Sequence, residues 1–195
     1  MRIQTLTIAI SLTAFMQISA PANATYTVTV ERVGNNVVET GSGSLDLTDL
    51  TLGGTVTDEP PRISGNFGEI FLGAGAPSTA VDYYRGYSGP FHFGTGPVFY
   101  ADIGAGNIVG LAADAGTMFV PHGYVSGTAL GTSTATWNNA TTDSLGLAAG
   151  SYVWTWGVGA HADSFELQII PEPDTLALLG LTGLGAGVMA YRRRM

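Results

Sequence analysis

Cysteine and lysine are both absent from this chain of 195 residues. Without cysteine there can be no disulfide, cysteine nucleophile, thiolate metal site or thiol redox motif. A folded domain of this chain must therefore depend on its hydrophobic core alone. The stretch 25–170 is long enough to form one such domain.

Positive charge is scarce as well, because residues 25–170 contain only three arginines. These are Arg32, Arg62 and Arg85, and they stand against thirteen of the 15 acidic residues. Nucleic-acid binding needs clustered positive charge to neutralise phosphates. We therefore expect no nucleic-acid partner.

Long helical patterns are also missing. Glycine, proline and asparagine recur too often between residues 25 and 170 for a helix of about ten residues or more. Residues 25–30 instead alternate hydroxyl with apolar or aromatic side chains, which is the pattern of a half-buried strand. A turn is predicted at 34–36, a returning strand at 37–40 and a break at 41–43. Further strands are predicted at 69–72, 98–103, 108–111, 118–120 and 132–137.

The clearest hairpin is predicted near the end of this region. Tyr152, Trp154, Trp156 and Val158 fall on one face of the first strand, and a second alternating strand follows a turn at 159–163. We interpret the two tryptophans as core residues. Many short strands separated by glycine and proline predict an all-β fold, either a β-sandwich or a jelly-roll-like domain, over residues 25–170.

The first 24 residues have the order of a secretory signal peptide. A short basic start precedes the apolar run 6–20, which is too short to span a bilayer. Ala22 and Ala24 supply small residues at the positions that signal peptidase reads, which predicts a cut before Thr25. A cut after residue 20 is disfavoured because a proline would follow the bond. The alternative is that these residues form a buried hydrophobic element.

Three further signals follow one another in residues 171–195. They are the triplet Pro171, Glu172 and Pro173, the uncharged stretch 175–191, and the basic residues Arg192, Arg193 and Arg194. As a helix the uncharged stretch would span about 26 Å, close to the ~30 Å hydrocarbon core of a bilayer. The arginines cross a membrane only at high cost, so we expect them to stay cytoplasmic.

This order resembles the PEP-CTERM sorting signal of Gram-negative bacteria, which an exosortase-type membrane protease processes. The segments 37–52 and 119–169 also resemble a recurrent group of PEP-CTERM proteins with no assigned activity. The resemblance implies signal peptidase and an exosortase as partners, a transient membrane anchor, and delivery to the cell surface or an extracellular polysaccharide matrix. The alternative is a plain tail anchor in which the triplet is only a linker.

Catalytic and metal-binding patterns are weak. The three histidines, His92, His122 and His161, occur in no zinc or nucleophile spacing. Carboxyl and amide side chains that could serve acid/base chemistry or bind calcium are interpreted as exposed loop residues. The residues concerned are Asp46, Asp49, Asp58, Glu59, Asn138, Asn139 and Asp143. We therefore expect no enzyme, no catalytic residues, no metal and no cofactor.

One polar-aromatic cluster stands out from the alternating pattern. Tyr83, Tyr84 and Tyr87 lie close together in sequence and are interpreted as a candidate sugar-binding group, since aromatic rings stack on pyranose faces. The alternative is that these rings pack over a sheet edge or a loop. The sequence as a whole favours a secreted, non-catalytic protein of structural or adhesive role. Its alternative is an extracellular carbohydrate-binding or carbohydrate-active protein.

Overall fold

The computed structural model describes residues 25–57, 59–74 and 78–172. In these ranges the chain forms β-strands and one 3₁₀ turn, with no α-helix, which confirms the all-β prediction. The strands are β1 Thr25–Val33, β2 Asn36–Gly43, β3 Thr51–Thr57, β4 Arg62–Ser64, β5 Glu69–Leu72, β6 Ala80–Arg85, β7 Phe99–Tyr100, β8 Ile103–Ala105, β9 Val109–Ala112, β10 Thr117–Pro121, β11 Ser133–Trp137, β12 Gly150–Trp156 and β13 Asp163–Ile169. The 3₁₀ turn is Gly159–His161.

The strands form two sheets that pack face to face. The first sheet has the order β12-β13-β1-β2-β11-β8, and the second has the order β3-β6-β10-β9-β5-β4-β7. Strands β2 and β11 of the first sheet contact β5 of the second. The fold is therefore sandwich-like, as the sequence predicted.

Strand β1 shows how alternation builds the core. Tyr26, Val28 and Val30 are buried, while the threonines between them are partly exposed. On one side β1 pairs with β2 in the antiparallel sense, and on the other it pairs with β13 in the parallel sense. Since β13 alternates in the same way, its buried positions continue the same apolar layer. They are Asp163, Phe165, Leu167 and Ile169.

The predicted β12–β13 hairpin is present, and both tryptophans lie in the core. Trp154 Nε1 donates a hydrogen bond to the Pro90 carbonyl at 2.8 Å, and Trp156 Nε1 donates to the Asp46 carbonyl at 2.6 Å. Val158 does not continue this face. It lies beyond the end of β12 with 80% of its surface exposed, and its amide donates a hydrogen bond to Asp49.

The predicted break at 41–43 is wrong, because β2 continues through Gly43. Gly41 lies inside the strand, where the Tyr26 side chain of β1 occupies the space beside it. A Cβ at Gly41 would lie 2.6 Å from the Tyr26 hydroxyl. The glycine therefore makes room for a buried aromatic ring instead of ending the strand.

The second sheet carries a smaller apolar cluster on its other face. Phe71, Val81 and Phe119 are buried there, and Tyr83 packs against them. The Phe71 and Phe119 rings are 4.9 Å apart, and the Arg62 guanidinium lies 3.7 Å from the centre of the Phe71 ring. Adjacent residues of these strands thus serve two separate apolar layers.

No helix in the described part of the chain has the length and hydropathy to cross a bilayer. The predicted membrane helix, residues 175–191, lies outside the described residues.

Candidate functional site

The described chain leaves the sandwich at the end of β13. Beyond Ile169, the Ile170 amide donates a hydrogen bond to the Val30 carbonyl at 2.9 Å, which extends the pairing with β1 by one residue. Pro171 is exposed and Glu172 follows it. The triplet predicted to direct processing therefore begins directly against the folded domain.

The carboxylate of Glu172 is held by two parts of the domain. Arg32 Nη1, near the end of β1, donates to Glu172 Oε2 at 2.9 Å. The Thr142 amide and hydroxyl, in the loop between β11 and β12, donate to Oε1 at 2.7 and 3.1 Å. Burial raises the pKa of Glu172, but the Thr142 hydrogen bonds and the Arg32 charge outweigh it and hold the pKa below its usual value.

Thr25, which the sequence predicts to follow the signal-peptidase cut, lies at the opposite end of the β1–β13 strand pair. Thr25, the first described residue, pairs with Ser164 at the start of β13, whereas Val30 pairs with Ile169 at its end. Because β1 and β13 are parallel, the chain enters at one end of this strand pair and leaves for the triplet at the other. Thr25 and Val30 are five residue steps apart, which corresponds to about 17 Å along the strand.

Residues 170–194 match the family model of the PEP-CTERM protein-sorting motif. These residues are a PEP-CTERM sorting signal. Such a signal marks an exported protein whose precursor is anchored in the membrane and processed by an exosortase. Comparisons with curated proteins and with solved structures gave no match.

The structure describes only part of this sorting signal. Pro171 and Glu172 are placed, whereas Pro173 and the basic residues Arg192, Arg193 and Arg194 lie outside the described residues. Ala22 and Ala24 of the predicted signal peptide also lie outside them. The roles of all these residues stay predictions from the sequence.

The three tyrosines proposed as a sugar-binding group do not form one surface. Tyr83 and Tyr84 are consecutive residues of β6, a strand whose burial does not alternate. Successive strand residues point to opposite faces, so Tyr84 packs against the main core and Tyr83 against the smaller cluster. A Cβ at Gly53 would lie 2.1 Å from the Tyr83 ring, which shows how closely backbone covers it. Sugar binding by this group stays a prediction that the geometry does not favour.

Tyr87 has a packing role of its own. Its hydroxyl donates toward the carbonyls of Ala112 and Thr117, at 3.0 and 3.2 Å, where β9 turns into β10. Burial, and then the charge of Asp114, raise the pKa of Tyr87 above its usual value. The hydroxyl therefore ties a loop to a buried hairpin.

We expect Tyr87→Phe to lower the free energy of unfolding by about 1 kcal/mol, because two carbonyls lose their shared donor. Tyr83→Phe is the matched control, since it keeps the ring against Phe119 and removes a hydroxyl that makes no side-chain hydrogen bond within the described ranges. Denaturant unfolding of both variants beside the parent provides the measurement. Equal losses in the two variants would contradict a specific role for the Tyr87 hydroxyl.

Asp46 is the centre of a polar network that joins three loops. Its Oδ1 accepts hydrogen bonds from Thr48 and Ser126, and its Oδ2 lies 2.9 Å from His161 Nδ1. The Thr48 hydroxyl and then His161 hold the pKa of Asp46 well below its usual range. In turn, the hydrogen bond and charge of Asp46 raise the pKa of His161. The carboxylate stands between serine and histidine, so this is not the order of a Ser-His-Asp triad.

The other candidate polar residues are also engaged locally or lie apart. Asp82 accepts hydrogen bonds from Thr55 and the Gly123 amide, and lies 2.8 Å from His122 Nδ1. Glu59 pairs with Arg62 at 2.7 Å. Asp49 accepts a hydrogen bond from the Val158 amide. Asp58 lies outside the described residues. The other candidates for metal or acid/base roles are His92, Asn138, Asn139 and Asp143. Within residues 25–57, 59–74 and 78–172, no group of three or more His, Asp or Glu side chains is arranged to hold a metal ion.

Sequence reasoning missed one buried acid, Glu39 of β2. Its side chain is fully buried, and among the residues that the structure describes neither carboxylate oxygen has a hydrogen-bond partner. Burial raises the pKa of Glu39 well above its usual value. Within the described part of the chain, the nearby Tyr26 hydroxyl also has no hydrogen-bond partner. Alternation from Val37 could have placed Glu39 on the inward face, but two adjacent valines hide the period.

Proposed function

We propose that this protein is an exported, non-catalytic β-sandwich that its sorting signal holds at the inner membrane until an exosortase releases it. Its destination is then the cell surface or an extracellular polysaccharide matrix, where it has a structural or adhesive role. The observation that carries this proposal is the PEP-CTERM motif at residues 170–194, which begins one residue after β13 ends.

The proposal that the protein is non-catalytic rests on the hydrogen bonds that its acidic and histidine side chains form. An acid/base catalyst needs a carboxyl or imidazole that can reach a substrate proton. The carboxylates of Asp46 and Asp82 instead form hydrogen bonds with neighbouring hydroxyl, amide and imidazole groups. These contacts join loops and strands, which is what a structural role requires.

The test compares a host that has its exosortase with the same host lacking that enzyme, both expressing the full chain with a C-terminal tag. We expect the tag to be removed and the domain released only where the enzyme is present. Without it, full-length protein should remain in the membrane fraction, since the apolar stretch and the arginines stay attached. Equal release in both hosts would overturn the proposal.

The second candidate function is carbohydrate binding. The observation that favours it is a groove of about 320 Å³ beside β12, whose lining includes Tyr87, Ser88, Pro90, Phe91 and Trp154. Phe91 is 64% exposed and offers a ring at this groove. Loss of retention on the host's polysaccharide in Phe91→Ala, at unchanged stability, would favour this function over a purely structural one.

A further inference from the structure

The folded domain contacts its own processing motif through a specific set of donors. The side chain of Glu172 is only 13% exposed, and that of Arg32 is 28% exposed. Three donated hydrogen bonds converge on the carboxylate, one from a guanidinium, one from a backbone amide and one from a hydroxyl. Hydrogen bonds to an ionised acceptor are stronger than neutral ones, so this contact is more than a chance surface approach.

The donors are positioned by the fold and not by the tail. Arg32 lies in β1, paired with Val37 of β2. Thr142 is buried, and its carbonyl accepts a hydrogen bond from the Leu147 amide, which closes the loop around it. The carboxylate-binding site therefore requires a folded domain, because its two sides come from distant parts of the chain.

We propose that Arg32 and Thr142 form a carboxylate-binding site that holds Glu172 of the sorting signal, and that the membrane protease can take the motif only when this contact opens. This inference rests on the proposed function, since it concerns the same processing step. The Glu172 side chain cannot occupy the domain and a protease cleft at the same time. Folding of the domain thus slows processing, and an unfolded precursor presents the motif freely.

The first arm of the test needs no exosortase. Full-length protein is purified in detergent from a host lacking the enzyme, and hydrogen exchange at the Thr142 amide is measured. We expect Arg32→Gln and Glu172→Gln each to speed this exchange about fivefold, and the double variant to add little, because both break the same contact. Equal exchange in the parent and both single variants would overturn the binding site.

The second arm follows processing by pulse-chase in a host that has its exosortase. We expect Arg32→Gln to be trimmed about fivefold faster than the parent, with Arg32→Lys between them. Thr142→Val removes the hydroxyl that donates to Glu172, and we expect this variant also to be trimmed faster than the parent. It provides a second test of the contact if an arginine variant folds poorly. Arg85→Gln is the control, since Arg85 lies beside Tyr83 in the other sheet.

The outcomes of the two arms separate this inference from the proposed function. Faster exchange together with faster trimming supports the inference. Faster exchange with trimming at the parent's rate overturns the gating role, while processing of the parent still supports the proposed function. If the parent is not trimmed at all, gating fails together with the proposed function, although the exchange measurement still decides whether the site exists.

Discussion

Replacing Pro171, Glu172 and Pro173 with three alanines is expected to leave full-length protein in the membrane fraction of a host that has its exosortase. The two prolines fix φ on either side of Glu172 and bias the preceding residues toward extended backbone. The triplet therefore resists continuation of a helix from the apolar stretch 175–191, whereas alanines favour it. Immunoblotting for a C-terminal tag in membrane and released fractions provides the measurement.

The matched control for this triple variant is Arg32→Gln. It removes the ion pair with Glu172 but keeps the triplet, so it separates loss of the motif from loss of the domain contact. We expect the control to be processed and the triple variant to be retained. If the triple variant and the parent are trimmed and released equally, the segment is only an anchor.

Glu39→Gln is expected to stabilise the domain at neutral pH by roughly 2 kcal/mol or more. The parent must bury a carboxylate without hydrogen bonds when this group ionises, and that cost is absent from the neutral amide. Glu39→Met replaces the polar atoms by an apolar chain of similar length, and we expect it to be at least as stable as Glu39→Gln. Urea unfolding at pH 7 measures both differences.

The free energy of unfolding of the same variants, measured against pH, shows whether ionisation of Glu39 stabilises or destabilises the fold. Because burial raises the folded-state pKa of Glu39, the folded state holds its proton more tightly than the unfolded chain. The contribution of Glu39 to the free energy of unfolding is therefore highest below a pH of about 4.3, and it falls by about 1.4 kcal/mol per pH unit up to the folded pKa. Asp46 and Glu172, whose pKa values are lowered, act in the opposite direction, since their stabilising effect is lost as pH falls.

The difference between parent and variant therefore isolates Glu39 from the other acids. Glu31→Gln is the control, because Glu31 is an exposed residue of the neighbouring strand β1 and receives the same chemical change. We expect its curve to follow that of the parent, and the Glu39→Gln curve to diverge from both as pH rises. If the free energies of unfolding of all three proteins changed with pH in parallel, burial of Glu39 would not destabilise the domain.

Local alternation was sufficient to predict β1 and β13, which are buried on one face. In β1 and β13 each apolar residue is followed by a polar one, so the inward face can be read directly. The hairpin of β12 and β13 followed from the same rule, and its tryptophans lie in the core as predicted. Such strands need no knowledge of their partners, because their own period carries the information.

Strand β6, which has buried residues on both faces, could not be interpreted in this way. In β6 the adjacent Tyr83 and Tyr84 each pack against an apolar layer, one on either side of the sheet. Without knowledge of the second layer, two consecutive aromatics resemble a loop cluster more than a strand. The predicted break at Gly41 was wrong for a related reason. The missing side chain of Gly41 leaves space for the Tyr26 ring of the neighbouring strand β1, which the sequence of β2 alone does not show.

By itself, the sequence determined the all-β class and the sorting signal, because a strand period and a linear motif are properties of neighbouring residues. Only the tertiary structure decided where charged groups end up. Arg32 and Glu172 are separated by 140 residues. They meet because β1 and β13 run parallel with Val30 opposite Ile169, so that the residues following each lie at the same end of the strand pair. Glu39 loses its solvent only because a second sheet covers β2. Both results depend on contacts between distant segments, which no local pattern encodes.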